Sequence, residues 1–187
     1  MHEIRWHGRG GQGAVTSAKL LAESAFRSGW KGVTSAPSYG AERRGAPITA
    51  STRLADEQIR VFSQVTNPDI VIVLDDSLLT VGGATVGLRP GATLIVNTSQ
   101  PADALGVTGD VRVVATDVTG AAQAAGVLVG GTPIVSAAIL GSIAKATGVV
   151  TMESVEGAIA HMFSGSAAAK NTEAARIAYE CTEGELS

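Results

Sequence analysis

Six residues near the start of the chain, Gly8, Arg9, Gly10, Gly11, Gln12 and Gly13, bring together the means to hold an anion. Gly8, Gly10 and Gly13 keep the spacing G-x-G-x-x-G, between an alternating run at residues 3–7 and a helical repeat that follows. In such a junction the first glycine permits the turn, the second admits a ligand and the third lets helix and strand pack closely. The start of the helix adds N–H groups without partners, which favour phosphate or carboxylate. Arg9 and Gln12 are expected to reach outward from the turn, and Arg9 suits two-point contact with an oxyanion. A compact turn with no ligand explains the glycines equally well.

The neighbouring residues narrow the choice. A nicotinamide cofactor asks for an acidic residue about 20 positions further on, to hold the ribose. Between Ser24 and Ala41 there is neither Asp nor Glu, and for a ribose phosphate only Lys31, Arg43 and Arg44 are near. A nucleoside-triphosphate loop would place Lys and Ser or Thr after the last glycine, where Ala14 and Val15 stand. A second loop carries Tyr39, Glu42, Arg43 and Arg44 between two glycines. Its arginines either face phosphates or an acidic partner, or one of them pairs with Glu42 to fix the loop. An exposed pair of that kind is worth only about 0–1 kcal/mol.

Other reactive types are dispersed. His2, His7 and His161 lack metal-ligand spacing, and His7 reads as a satisfied histidine at a strand end. Asp75 and Asp76 end an apolar run and are expected to cap the helix after it. Cys181, the single cysteine, can form neither an internal disulfide nor a four-cysteine cluster, and reads as inert. Met152, Met162 and Phe163 read as helix-packing residues.

These residues must be positioned by an apolar frame. The chain has 187 residues, 45% of them hydrophobic but only 4% aromatic, so small aliphatic side chains carry the packing. A net charge of −3 gives no electrostatic reason to expect nucleic acid or an anionic membrane. No segment reaches the roughly 20 apolar residues of a membrane span, and a cytoplasmic location is expected.

Ala14, Val15, Ala18, Leu21, Ala22, Ala25 and Phe26 recur at helical spacing, as one stripe. Residues 32–36 and 48–54 read as strands. Residues 68–75, 92–98 and 111–117 are apolar runs of the kind buried in parallel sheets. Residues 133–148 read as a helix opened by Pro133 and closed by Gly148. Thr151 is placed to cap the next helix, and a last helix covers residues 167–180. The expectation is an α/β fold: an open, mostly parallel Rossmann-like sheet with flanking helices, one domain over residues 1–187, helical from about Pro133. The apolar run at residues 124–135 is read either as a docking surface or as core.

The combination of G-R-G-G-Q-G with P-S-Y-G-A-E-R-R-G-A-P some 24 residues later is far more specific than either part. It resembles the gamma subunit of the 2-oxoacid:acceptor oxidoreductases, and the resemblance extends through residues 68–76, 133–148 and 170–180. It implies a multisubunit enzyme that oxidatively decarboxylates a 2-oxoacid and transfers the acyl group to coenzyme A. Thiamine diphosphate, magnesium and iron–sulfur clusters would sit in partner subunits. This chain would be inactive alone and would help to form the coenzyme A cleft, with Gly8 to Gly13, Tyr39, Arg43 and Arg44 as contact residues. The other reading is a stand-alone NAD(P)-binding reductase or regulatory module.

Overall fold

The computed structural model describes residues 1–37, 44–61 and 63–183. A six-stranded sheet forms its centre. The strands are β1 (His2–Arg9), β2 (Gly32–Pro37), β3 (Pro47–Ala55), β4 (Ile70–Val73), β5 (Ala92–Asn97) and β6 (Val111–Thr116), in the spatial order β2-β3-β1-β4-β5-β6. β1, β4, β5 and β6 are mutually parallel, while β3 runs antiparallel between β1 and β2.

β1 shows how the sequence assigns faces. Successive side chains alternate across a strand, so Ile4, Trp6 and Gly8 face one way and Glu3, Arg5, His7 and Arg9 the other. Ile4 and Trp6 are buried, and the Trp6 indole donates to the Thr52 hydroxyl on β3 at 3.0 Å. Against that face lies α1 (Ala14–Arg27), with Ala14, Ala18, Leu21 and Ala25 inward. Phe26 departs from the expected stripe and is 69% exposed. At about 100° per residue, it lies a quarter-turn or more from the line through Ala18, Leu21 and Ala25.

β4 is apolar throughout and β5 is apolar apart from Thr93 and Asn97, because both their faces are covered. On one side lies the main core with α1. On the other, Val71, Val73, Leu94 and Val96 pack against Leu78 and Ala84. Leu78 opens α2 (Leu78–Val81), a single helical turn.

After β6, α3 (Val118–Ala124) leads into a short hairpin of β7 (Leu128–Val129) and β8 (Thr132–Pro133). Three helices follow: α4 (Ile139–Thr147), α5 (Met152–Met162) and α6 (Gly165–Cys181). Pro133 therefore does not open a helix. It pairs with Leu128 in the hairpin, and the helix begins six residues later. The glycines at 130 and 131, both at positive φ, make the hairpin turn and use up the residues before α4. Gly148 does end the helix in a left-handed conformation, and the Thr151 hydroxyl caps α5 by accepting from the Ser154 N–H at 3.1 Å.

α4 and α6 touch backbone to backbone. A Cβ added at Gly141 would lie 1.8 Å from the Ala175 carbonyl oxygen. Ala174, Ala175 and Ala178 complete this small-residue seam. Phe163 and Met152 pack on the core, whereas Met162 is 39% exposed and does not. Among the described residues, no helix is long and apolar enough to cross a membrane.

Candidate functional site

The glycine turn lies at the carboxyl end of β1, beside the carboxyl ends of β4 and β5, where open α/β sheets hold their ligands. It is fixed from two sides. On one side it is zipped to the entry of β3: the Gly10 N–H donates to the Ala46 carbonyl at 2.8 Å, and the Gly45 N–H to the Gly10 carbonyl at 3.0 Å. Arg44 forms an isolated bridge with Gly10, which brings one arginine of the second loop to the first. Arg44 is exposed and has no ion partner among the described residues. Tyr39 and Arg43 lie outside the described residues.

On the other side Asp75 is the anchor. One carboxylate oxygen accepts from Arg9 Nε and from Gln12 Nε2, each at 3.0 Å. Its second oxygen accepts from the Ser77 N–H at 3.2 Å and from the Ser77 hydroxyl. Gln12 turns back on its own loop, since its side-chain oxygen accepts from the Arg9 N–H at 2.7 Å. Arg9 also donates to the Gly45 carbonyl and, at 2.6 Å, to the Ser77 hydroxyl.

Arg9 and Gln12, expected to reach outward, turn instead to Asp75 at the next strand end, with the Arg9 side chain 29% exposed and Gln12 in the wall of the cleft beside it. Neither aspartate caps α2, whose N-cap Ser77 has no side-chain cap bond; Asp75 instead anchors the turn, and Asp76 turns to the Thr98 hydroxyl at 2.8 Å. The sequence signal for this lay in view: an acid pair ending β4, level with the turn after β1.

Burial pushes the Asp75 carboxyl upward. The hydrogen bonds from Ser77 and Gln12 and the adjacent Arg9 charge outweigh that and hold it below the ordinary carboxylate value.

α1 begins at Gly13, whose φ of 87° is left-handed, with no side-chain cap. A Cβ there would lie 2.8 Å from the Cβ of Ser136, so both conformation and space require glycine. Gly8 is tight as well, its virtual Cβ being 3.0 Å from the Ala14 methyl. Among the described residues no acceptor meets the N–H groups of Gly13, Ala14, Val15 or Thr16. The turn therefore offers unpaired donors with Arg44 close to Gly11.

A cleft of about 420 Å³ opens on the Asp75 side, with Asp76, Asn97, Thr98, Asp117 and Thr119 among its walls. Three carboxylates make it hostile to phosphate. Asp117 caps α3 by accepting from the Gly120 N–H at 2.7 Å, and Asn97 bridges β4 to Thr119. The two sides of the turn thus differ in sign: basic toward Arg44, acidic toward Asp117.

His7 is satisfied, as expected. It is 4% exposed and accepts from Arg5 Nε at 3.0 Å, while Arg5 donates to the carbonyls of Thr66, Ala84 and Val86. Burial, then the Arg5 charge, lowers its pKa to about 4, against a small opposing contribution from the Gly82 backbone. A folded value below the unfolded 6.5 means stability that is complete above pH 6.5 and drains as pH falls toward 4. Between pH 8 and pH 5 this single group removes about 2 kcal/mol. Urea unfolding at the two pH values should show this loss in the native chain and its absence in His7→Gln.

The sheet order bears on the nicotinamide reading. That cofactor's ribose acid comes from the strand next to the first, but here β3 separates β1 from β2, and β2 ends in Ala36 and Pro37. Fold and turn together define a Rossmann-like α/β chain whose glycine turn leaves N–H donors unpaired and has, among the described residues, no ribose acid beside it.

Residues 3–181 match the family described as pyruvate ferredoxin/flavodoxin oxidoreductase. The pyruvate/ketoisovalerate oxidoreductases common subunit gamma of Thermococcus litoralis is 48% identical, over 97% of each chain. Pyruvate synthase subunit PorC of Methanothermobacter thermautotrophicus is 46% identical, over 96% of this chain and 95% of that one. The crystal structure of pyruvate oxidoreductase subunit PORC from Thermotoga maritima superposes with a TM-score of 0.84 at 34% identity, over 97% of both. The chain belongs to the pyruvate ferredoxin/flavodoxin oxidoreductase family, as a gamma-type subunit.

Proposed function

We propose that this subunit supplies part of the coenzyme A cleft in a complex whose other subunits carry thiamine diphosphate, magnesium and the iron–sulfur clusters. The reading treats residues 1–187 as one gamma-type domain, contributing shape and hydrogen-bond donors without a redox centre of its own. Coenzyme A supplies the thiol that accepts the acyl group, and its phosphates need donors and cations.

One observation supports the site above the rest: the turn leaves the N–H groups of Gly13, Ala14, Val15 and Thr16 unpaired, with exposed Arg44 zipped beside Gly10. The anion belongs on that side, away from the three aspartates of the neighbouring cleft. Gly10, Gly11 and Gly13 allow the approach, and Arg44 lends its charge, with Arg43 and Tyr39 of the same loop as further contacts. Arg9 and Gln12 are positioning residues, because their side chains hold the turn to Asp75.

The test is the coenzyme A KM of the assembled oxidoreductase carrying Arg44→Ala. Losing one charge-assisted phosphate contact raises KM at least about tenfold and leaves assembly intact. An unchanged KM in an intact complex contradicts the assignment. A stand-alone NAD(P)-binding reductase is not favoured, given the strand inserted between β1 and β2.

A further inference from the structure

Asn97 closes β5 and is 8% exposed, and its side-chain amide is used completely. The amide nitrogen donates to the Leu74 carbonyl at 3.0 Å and to the Thr119 hydroxyl at 2.9 Å. The amide oxygen accepts from the Thr119 N–H at 3.0 Å and from the Thr119 hydroxyl at 3.3 Å. Two donors and two lone pairs are all that a carboxamide has. The bonds to Thr119 hold the start of α3, which already has a cap in Asp117. The bond to Leu74 has no such substitute. The pairing of β4 with β5 stops at Val73 and Val96, so the Leu74 carbonyl lies one residue beyond it. Among the described residues that carbonyl accepts from nothing else. Leu74 is itself buried, and a buried carbonyl demands a partner.

We infer that Asn97 is a positioning residue for coenzyme A, acting through Asp75. The inference rests on the coenzyme A reading of the glycine turn and deepens it, adding a residue that touches neither the turn nor the anion. The carbonyl that Asn97 holds belongs to the peptide joining Leu74 to Asp75. The Leu74 N–H donates to the His7 carbonyl at 2.8 Å, so Leu74 is gripped from β1 on one side and from β5 on the other. With both its backbone groups fixed, the direction of the chain into Asp75 is fixed too. The Asp75 carboxylate then meets Arg9 Nε and Gln12 Nε2 at 3.0 Å each. Released from Asn97, this peptide is free to rotate, and the carboxylate moves off the two donors that hold the turn. A supporting group displaced by about 1 Å is enough to impair a site.

The test measures the coenzyme A KM and kcat of the assembled oxidoreductase carrying Asn97→Asp, Asn97→Ser or Thr119→Ala, and carrying Asp75→Ala with and without Asn97→Asp. Asn97→Asp keeps the acceptors for Thr119 and loses the donor to Leu74. Asn97→Ser also loses that donor but adds no charge, so the pair separates positioning from repulsion of the phosphates. Expected is a rise of about fivefold or more in KM for both Asn97 variants, with kcat within about twofold of native. Thr119→Ala keeps the Leu74 bond and should keep the native KM. Asn97→Asp should add nothing to the KM of Asp75→Ala, since the residue it acts through is already gone. A native KM in either assembled Asn97 variant, while Asp75→Ala raises it, overturns the role of Asn97 and leaves the glycine-turn reading standing. Additive effects of Asn97→Asp and Asp75→Ala also overturn it. An unchanged KM in assembled Asp75→Ala brings down the glycine-turn reading, and the role of Asn97 falls with it.

Discussion

Gly141→Ala should destabilise the chain by at least about 3 kcal/mol, although the same change on an exposed helix would stabilise it by about 1 kcal/mol. The sign reverses because the new methyl would meet a carbonyl oxygen at 1.8 Å, a distance that no rotamer change relieves. α4 and α6 would have to separate along the seam of Ala174, Ala175 and Ala178, and close packing there would be lost over several residues. Against a total stability of roughly 5–15 kcal/mol for a chain of this size, that is a large share. Urea unfolding of native and variant chains measures it. A variant as stable as the native chain would mean that the two helices do not touch at this point.

Asp75→Ala is the second large effect. The carboxylate gathers Arg9, Gln12 and Ser77, and its side chain is only 23% exposed. Its removal leaves a half-buried guanidinium and a carboxamide without their acceptor, at a cost of about 2–3 kcal/mol. The pH dependence identifies the cause. Because the folded carboxyl titrates below its unfolded value, its contribution is complete above about pH 4 and is lost as pH falls through the folded pKa. The stability gap between native and variant chains should therefore be widest near neutrality and narrow on acidification below pH 4. A gap independent of pH would show that the charge plays no part. The same variant should raise the coenzyme A KM of the assembled enzyme, since the turn would lose the carboxylate that anchors Arg9 and Gln12.

The frame could be read from residue order wherever periodicity was strong. The alternation in β1, the apolar runs of β4 and β5, the Thr151 cap and the Gly148 stop all emerge from local patterns, and the structure repeats them. The failures have a common physical source, which is long-range pairing. Pro133 resembled a helix start because proline suits a first helical turn, but its partner is Leu128, five residues back across two left-handed glycines. Phe26 belonged to an apolar stripe by composition, yet only the docking of α1 decides which 100° of a helix is buried.

The site shows the same division. That glycines would form a turn at a helix start was evident from G-R-G-G-Q-G. That Arg9 and Gln12 would be spent on Asp75, 66 and 63 residues away, depends on β4 lying next to β1. Arg44 reaching Gly10 depends likewise on β3 pairing antiparallel with β1, an arrangement that no local signal fixes.

Reconstitution addresses the main claim most directly: acyl-coenzyme A formation from pyruvate by the purified partner subunits, measured with and without this chain and for this chain alone. No turnover is expected from the isolated chain, and coenzyme A-dependent turnover by the partners is expected only when it is added. Oxidation of a 2-oxoacid by the isolated chain, or full activity of the partners in its absence, would contradict it.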